Sequence, residues 1–145
     1  MFGKGVRATS LPLSRPRLRR LIVASLPARC ASAEIALVVL GAAEAKQLNK
    51  KFRQKDYATN ILTFDYRGLP HVQADLVICH PVVVREANAA GKPLDHHYAH
   101  LILHGVLHAC GMDHQSDRDA QRMEALEITL LQRFRIPNPY TPVAR

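Results

Sequence analysis

The sequence predicts an α+β fold, a small and mostly central β-sheet packed with about five helices. Three observations lead there. Short apolar runs at residues 34–40, 61–64 and 75–79 have the length and β-branched content of buried strands. Longer stretches of helical periodicity alternate with them, bounded by Ser, Pro and Gly where helices are capped and stopped. No apolar run approaches the roughly 18 residues of a membrane helix. The best, residues 35–43, is bracketed by Glu34 and Glu44. At 145 residues, 48% hydrophobic and 22% charged, the chain reads as one domain over 1–145. At that size it can bury about two-thirds of its unfolded surface without staples.

In chain order, Ser14 and Pro16 suit the start of a helix in which Leu18, Leu21, Ile22 and Leu26 share one face and Arg17 and Arg20 the polar side. The six basic residues and no acid of residues 1–20 also suit a targeting segment. However, Pro12, Arg15, Arg17, Arg19 and Arg20 deny it the uninterrupted apolar core of a secretory signal, and the helical spacing keeps the segment in the fold rather than in a transit peptide. Strand 34–40 follows, then a helix over 42–52 with Ala45, Leu48 and Phe52 on one side. Strands 61–64 and 75–79 flank a loop containing Gly68, Pro70 and His71. Pro81 opens a helix that Gly91-Lys92-Pro93 ends. A long apolar helix over 94–110 stops at Gly111, and a last helix over 117–133 begins in an acidic turn, as the helix dipole favours. Ile136-Pro137-Asn138-Pro139 cannot continue it.

Three scattered cysteines (Cys30, Cys79, Cys110) form no C-x-x-C pair and exclude a disulfide scaffold; reduced thiols point to the cytoplasm. The net charge of +8 is unevenly placed: residues 1–55 hold 12 Lys/Arg and 2 acids, residues 56–145 hold 8 and 10. A basic first third favours a polyanionic partner, nucleic acid first; ordinary solvation of a surface also accounts for charge of this size.

Five of the eight histidines lie between His96 and His108. Four residues along a helix is a rotation of about 40° and a rise of about 6 Å, so His104 and His108 stand one turn apart on one face. Gly111 permits a sharp reversal, after which His114 returns as a third ligand. Three imidazoles with one open position suit a catalytic Zn2+, one per chain, although such a site selects weakly among Zn, Ni and Cu. His100 lies about 12 Å along the axis from His108, too far to share an ion with it. Its place, supporting a ligand, touching substrate or at the surface, stays open. His71, His80, His96 and His97 read as surface residues. Cys110, about 200° around the helix from His108, reads as packing.

The spacing copies H-E-x-x-H-x-x-G-x-x-H of the metzincin proteases with Gly105 in place of the glutamate. Peptide hydrolysis loses its general base by that change. Phosphodiester cleavage asks instead for a polarised phosphoryl oxygen, an activated nucleophile and a cation.

The segment from His104 through Gly111 to Asp113-His114 resembles the signature of the YbeY family, bacterial endoribonucleases of ribosomal RNA maturation. Leu48 to Asp56 is similar to the family's Leu-Asn-x-x-Tyr-Arg-x-Lys-Asp segment, and Thr59-Asn60-Ile61-Leu62-Thr63-Phe64 to its Thr-Asn/Asp-Val-Leu-Ser-Phe strand. Asp75-Leu76-Val77-Ile78 and Met123-Glu124-Ala125-Leu126-Glu127 match two further motifs, so the likeness covers residues 45–130. Ala74, Asp65 and Ala109-Cys110 depart from the pattern without removing a ligand. The resemblance implies a zincin-like metal helix with His104, His108 and His114 as zinc ligands, and catalysis by His114 and Arg53. It sets Arg53 facing the metal cleft, where a guanidinium suits a phosphate. Lys50, Lys51 and Lys55 join Arg53 as RNA-binding candidates, and Asp113, Thr59 and Asn60 as residues behind the site. The implied role is single-strand-specific cleavage in rRNA processing, at the 3′ end of 16S rRNA, and in ribosome biogenesis, with ribosomal RNA and the small subunit as partners and no membrane. Two alternatives stand beside it: a metallopeptidase-like hydrolase with another base, and a non-catalytic assembly factor with a structural zinc.

Overall fold

The computed structural model describes residues 11–53, 60–112 and 116–140. Among these, the elements run α1 (Arg15–Ser25), β1 (Ser32–Leu40), α2 (Ala42–Arg53), β2 (Ile61–Arg67), β3 (His71–Cys79), α3 (His80–Ala90), α4 (Leu94–Ala109) and α5 (Asp117–Gln132). The three strands form one mixed sheet in the order β1-β3-β2, with β1 parallel and β2 antiparallel to β3. This is the small sheet with five helices that the α+β reading expects.

The central place of β3 follows from its composition. Leu76, Val77, Ile78 and Cys79 are consecutive and all buried, the unbroken apolar run of a strand covered on both faces. Ahead of them His71 and Gln73 point out while Val72 and Ala74 point in. That alternation extends the strand back to His71, a residue the sequence places in a loop, because Ser32 pairs with it and continues the ladder. β2 likewise runs on to Arg67, past a register shift between Asp65 and Arg67. At this irregularity the exposed Tyr66 hydroxyl donates to Asp75 Oδ2 at 2.9 Å.

The helix boundaries have local causes. Ser14 Oγ accepts from Arg17 N–H at 3.3 Å to cap α1, and Ser116 Oγ accepts from Asp119 N–H at 3.1 Å to cap α5. α3 ends on Gly91 at φ 67°, and the turn after α4 passes through Gly111 at φ 97°, two left-handed positions that favour glycine. α4 is the organising helix. It packs against α1, α3, α5, β2 and β3, and Ile102, Leu103, Val106 and Leu107 are essentially withdrawn from solvent. Burying each such side chain contributes about 1.5–3 kcal/mol. Cys110 is buried in the same core cluster, as its angular position suggests. No described helix is long and apolar enough to cross a membrane.

Candidate metal centre

On α4, His104 and His108 are only partly buried while their neighbours Leu103, Gly105, Val106, Leu107 and Ala109 are buried. The imidazoles thus occupy the one side of the helix that the core does not cover. Opposite them, α5 presents Glu127, which is completely buried. Glu127 sits among Met123, Leu130 and Leu131, one helical turn away on either side and all buried, so helical periodicity turns the carboxylate inward with them.

Glu127 is the hub of a polar network. His104 Nδ1 lies 2.5 Å from its Oε2, His100 Nε2 lies 3.1 Å from its Oε1, and the Tyr140 hydroxyl donates to that same Oε1. Burial alone would raise the Glu127 pKa. The hydrogen bonds from His100, His104 and Tyr140 together outweigh it and bring the value down to about 2. The group is therefore a carboxylate at neutral pH and can only accept. It follows that His104 carries its proton on Nδ1, which places the in-plane lone pair of the neutral ring on Nε2. A carboxylate–histidine pair of this kind fixes the tautomer and orientation of metal-ligating histidines. Tyr140, though its ring is exposed, is held protonated in return, its pKa pushed upward by the loss of hydration around its hydroxyl and by the hydrogen bond to Glu127.

His108 adds a second imidazole on the same side of α4; its Nδ1, like those of His97 and His100, is buried with no hydrogen-bond partner among the described residues. Two imidazoles one turn apart on the uncovered side of a helix, one of them aligned by a buried carboxylate, are a donor set that fits a borderline ion such as zinc. Among the described residues no group of three or more His, Cys, Asp or Glu is placed to hold a metal; His114 and Asp113 lie outside them.

Gly105 explains the missing glutamate. A β-carbon there would stand 2.9 Å from Leu76 Cδ2 and 3.2 Å from Ile61 Cδ1, both side chains belonging to the sheet beneath. A glutamate could not occupy the position without displacing Leu76, which has no exposure to solvent.

The remaining candidates come from the end of α2 and the start of β2. Arg53 is the last residue of α2, and Lys50 and Lys51 are exposed on the turn before it; Lys55 and Thr59 lie outside the described residues. Asn60 opens β2. Its carbonyl accepts from Cys79 N–H at 2.9 Å and its amide donates to Glu86, at 3.1 Å to Oε1. His97 also reaches Glu86, Nε2 to Oε1 at 2.9 Å, and His80 Nδ1 lies 2.5 Å from the Tyr98 hydroxyl. His71 is exposed as expected of a surface residue, but His80, His96 and His97 are partly buried, and His80 and His97 are partnered. Their acceptors and donors lie 11 and 18 residues away, beyond the reach of local spacing. His100 resolves to a side chain supporting Glu127.

The family model for "Endoribonuclease YbeY" matches residues 16–135. The chain belongs to the YbeY family. An "Endoribonuclease YbeY" from Polaromonas sp. is 51% identical over 142 residues, covering 96% of this chain and 90% of the relative. One from Bordetella petrii is 53% identical over 115 residues, covering 78% and 74%. A solution structure from Thermotoga maritima, 20% identical, has the same fold, with a TM-score of 0.60 over 99% of this chain and 97% of that one. Like the YbeY signature it follows, the chain carries Glu127 in a Met-Glu-x-x-Glu segment, yet neither that motif nor the spacing reveals that the second glutamate meets His104. Its place on an otherwise apolar helix face is the sequence signal that could have found it. Tyr140 falls beyond the 16–135 match.

Proposed function

We propose that this chain is a zinc-dependent, single-strand-specific endoribonuclease acting in rRNA processing, at the 3′ end of 16S rRNA, and in ribosome biogenesis in the cytoplasm. The observation that carries the reading is His104, aligned by the buried Glu127 carboxylate one helical turn from His108, in a chain of the YbeY family. In this reading α4 is a zincin-like metal helix, and His104, His108 and His114 hold one Zn2+ per chain. The ion supplies Lewis acidity toward a phosphoryl oxygen and toward water.

The chain's own residues do the rest. Glu127 keeps the proton of His104 on Nδ1 and so keeps Nε2 available to the ion. Arg53, with Lys50, Lys51 and Lys55 near it in sequence, binds the phosphodiester, and its guanidinium offsets negative charge that builds on the phosphoryl oxygens. Asn60, tied to Glu86, fixes the start of β2 behind the site. The packing of α4 on Leu76 and Ile61 leaves position 105 without a carboxylate, which favours phosphodiester over peptide cleavage. Ribosomal RNA on the small subunit is the partner this chemistry suits.

The test is purified protein against single-stranded RNA, duplex RNA and a casein-like peptide, alongside His114→Ala, Arg53→Ala and a chelator. Cleavage of single-stranded RNA that is lost with each substitution, and lost and restored with metal removal and return, is the expected result. RNA cleavage surviving all three treatments would belong to a contaminating nuclease and overturn the reading. Peptide cleavage lost with His114→Ala would replace it by a peptidase, and metal and ribosome binding without any cleavage by an assembly factor.

A further inference from the structure

We propose that Glu127 and Tyr140 act together as positioning residues for the metal ligand His104, so that the C-terminal tail forms part of the metal centre's support. The inference deepens the zinc reading and rests on it. Glu127 has two oxygens with separate tasks. Oε2 accepts the hydrogen bond of His104 Nδ1–H at 2.5 Å, and Oε1 accepts from the Tyr140 hydroxyl and from His100 Nε2. A buried carboxylate with only one oxygen satisfied would turn or draw in water. With both ends held, its plane is fixed, and with it the plane of the imidazole.

Tyr140 is itself fastened. Ile136 is buried in the core, Lys92 donates to the Pro139 carbonyl, and Tyr140 N–H donates to Asn138 Oδ1 at 2.8 Å. The Tyr140 ring meets His100 edge-on, with centroids 5.3 Å apart and planes at 85°, and Tyr140 Oη lies 3.1 Å from His100 Nε2. The segment after α5 is therefore held to the fold by Ile136, by Lys92 and by the ring contact with His100 where it delivers one hydroxyl to Glu127.

The experiment compares wild-type protein with Tyr140→Phe, which keeps the ring against His100 and removes only the hydroxyl, and with Glu127→Gln. Three readouts are taken: zinc affinity by competition with a chromophoric chelator, the denaturation midpoint of the metal-free proteins, and the His104 tautomer in metal-free protein from long-range proton–nitrogen correlations of the imidazole. The expected result is an Nδ1-protonated His104 in the wild type and a zinc affinity lowered about 10–100-fold by Glu127→Gln. Tyr140→Phe lowers it by a smaller factor, with the metal-free midpoint little changed. Should Glu127→Gln not fold, Tyr140→Phe decides. Zinc uptake by all proteins, with affinity and tautomer unchanged in the variants, overturns this inference alone. A wild type that takes up no zinc overturns the zinc reading, while the tautomer still reports whether Glu127 sets the ring.

Discussion

At Gly105 two opposing effects meet in one methyl group. Alanine is the better helix former by about 1 kcal/mol. Its β-carbon, however, would press on Leu76 and Ile61 at 2.9 and 3.2 Å, and overpacking of a closed core costs about 1–3 kcal/mol. Gly105→Ala is therefore expected to lower stability by roughly 1 kcal/mol, read as a reduced urea midpoint of the metal-free protein; an unchanged or raised midpoint would contradict the close seat of α4 on β3. Residues of the site differ in how legible they are. His104 and His108 can be paired from spacing alone, because one helix fixes both. Glu127 cannot, because its meeting with His104 depends on how α5 lies against α4, 23 residues away. Tyr140 is further from prediction still, a single hydroxyl on a tail that proline only marks as non-helical.

Between elements, the packing of α3 on α4 is carried by polar side chains as well as apolar ones. Tyr98 on α4 is wholly buried and its hydroxyl meets His80 on the first turn of α3, while Glu86 on α3 joins His97 on α4 to Asn60 at the head of β2. Burial first, then the neighbouring Cys79, pushes the Tyr98 pKa up to about 12. The fold thus prefers the neutral phenol. Its contribution is complete below about pH 10 and is lost as the pH rises through 12. Two pH units correspond to about 3 kcal/mol. Stability of the wild type is expected to fall more steeply over pH 10–12 than that of Tyr98→Phe; parallel curves in urea titrations would show that the phenol does not contribute. The strand and helix order was readable throughout, since periodicity and capping residues are local. The extensions of β2 and β3 were not, because polar residues enter a strand only when a partner strand offers the ladder.

For the molecule as a whole, charge and metal donors occupy different stretches of chain. The first 55 residues carry 12 basic and 2 acidic side chains, while the candidate ligands come from the remainder. Binding to single-stranded RNA should accordingly weaken with salt. Replacing Lys50 and Lys51 by alanine is expected to reduce the log–log salt slope by about 0.7 for each phosphate that is no longer neutralised, measured by fluorescence anisotropy from low to moderate salt; an unchanged slope would remove these lysines from the RNA path. The seat of α4 on the sheet also bears on descent. A change from phosphodiester to peptide chemistry would need a carboxylate at position 105, and its β-carbon could enter only as the Leu76 and Ile61 side chains give way. Substrate preference can drift through surface side chains, one tolerated substitution at a time, but a change of reaction class draws first on the packing of α4 against the sheet.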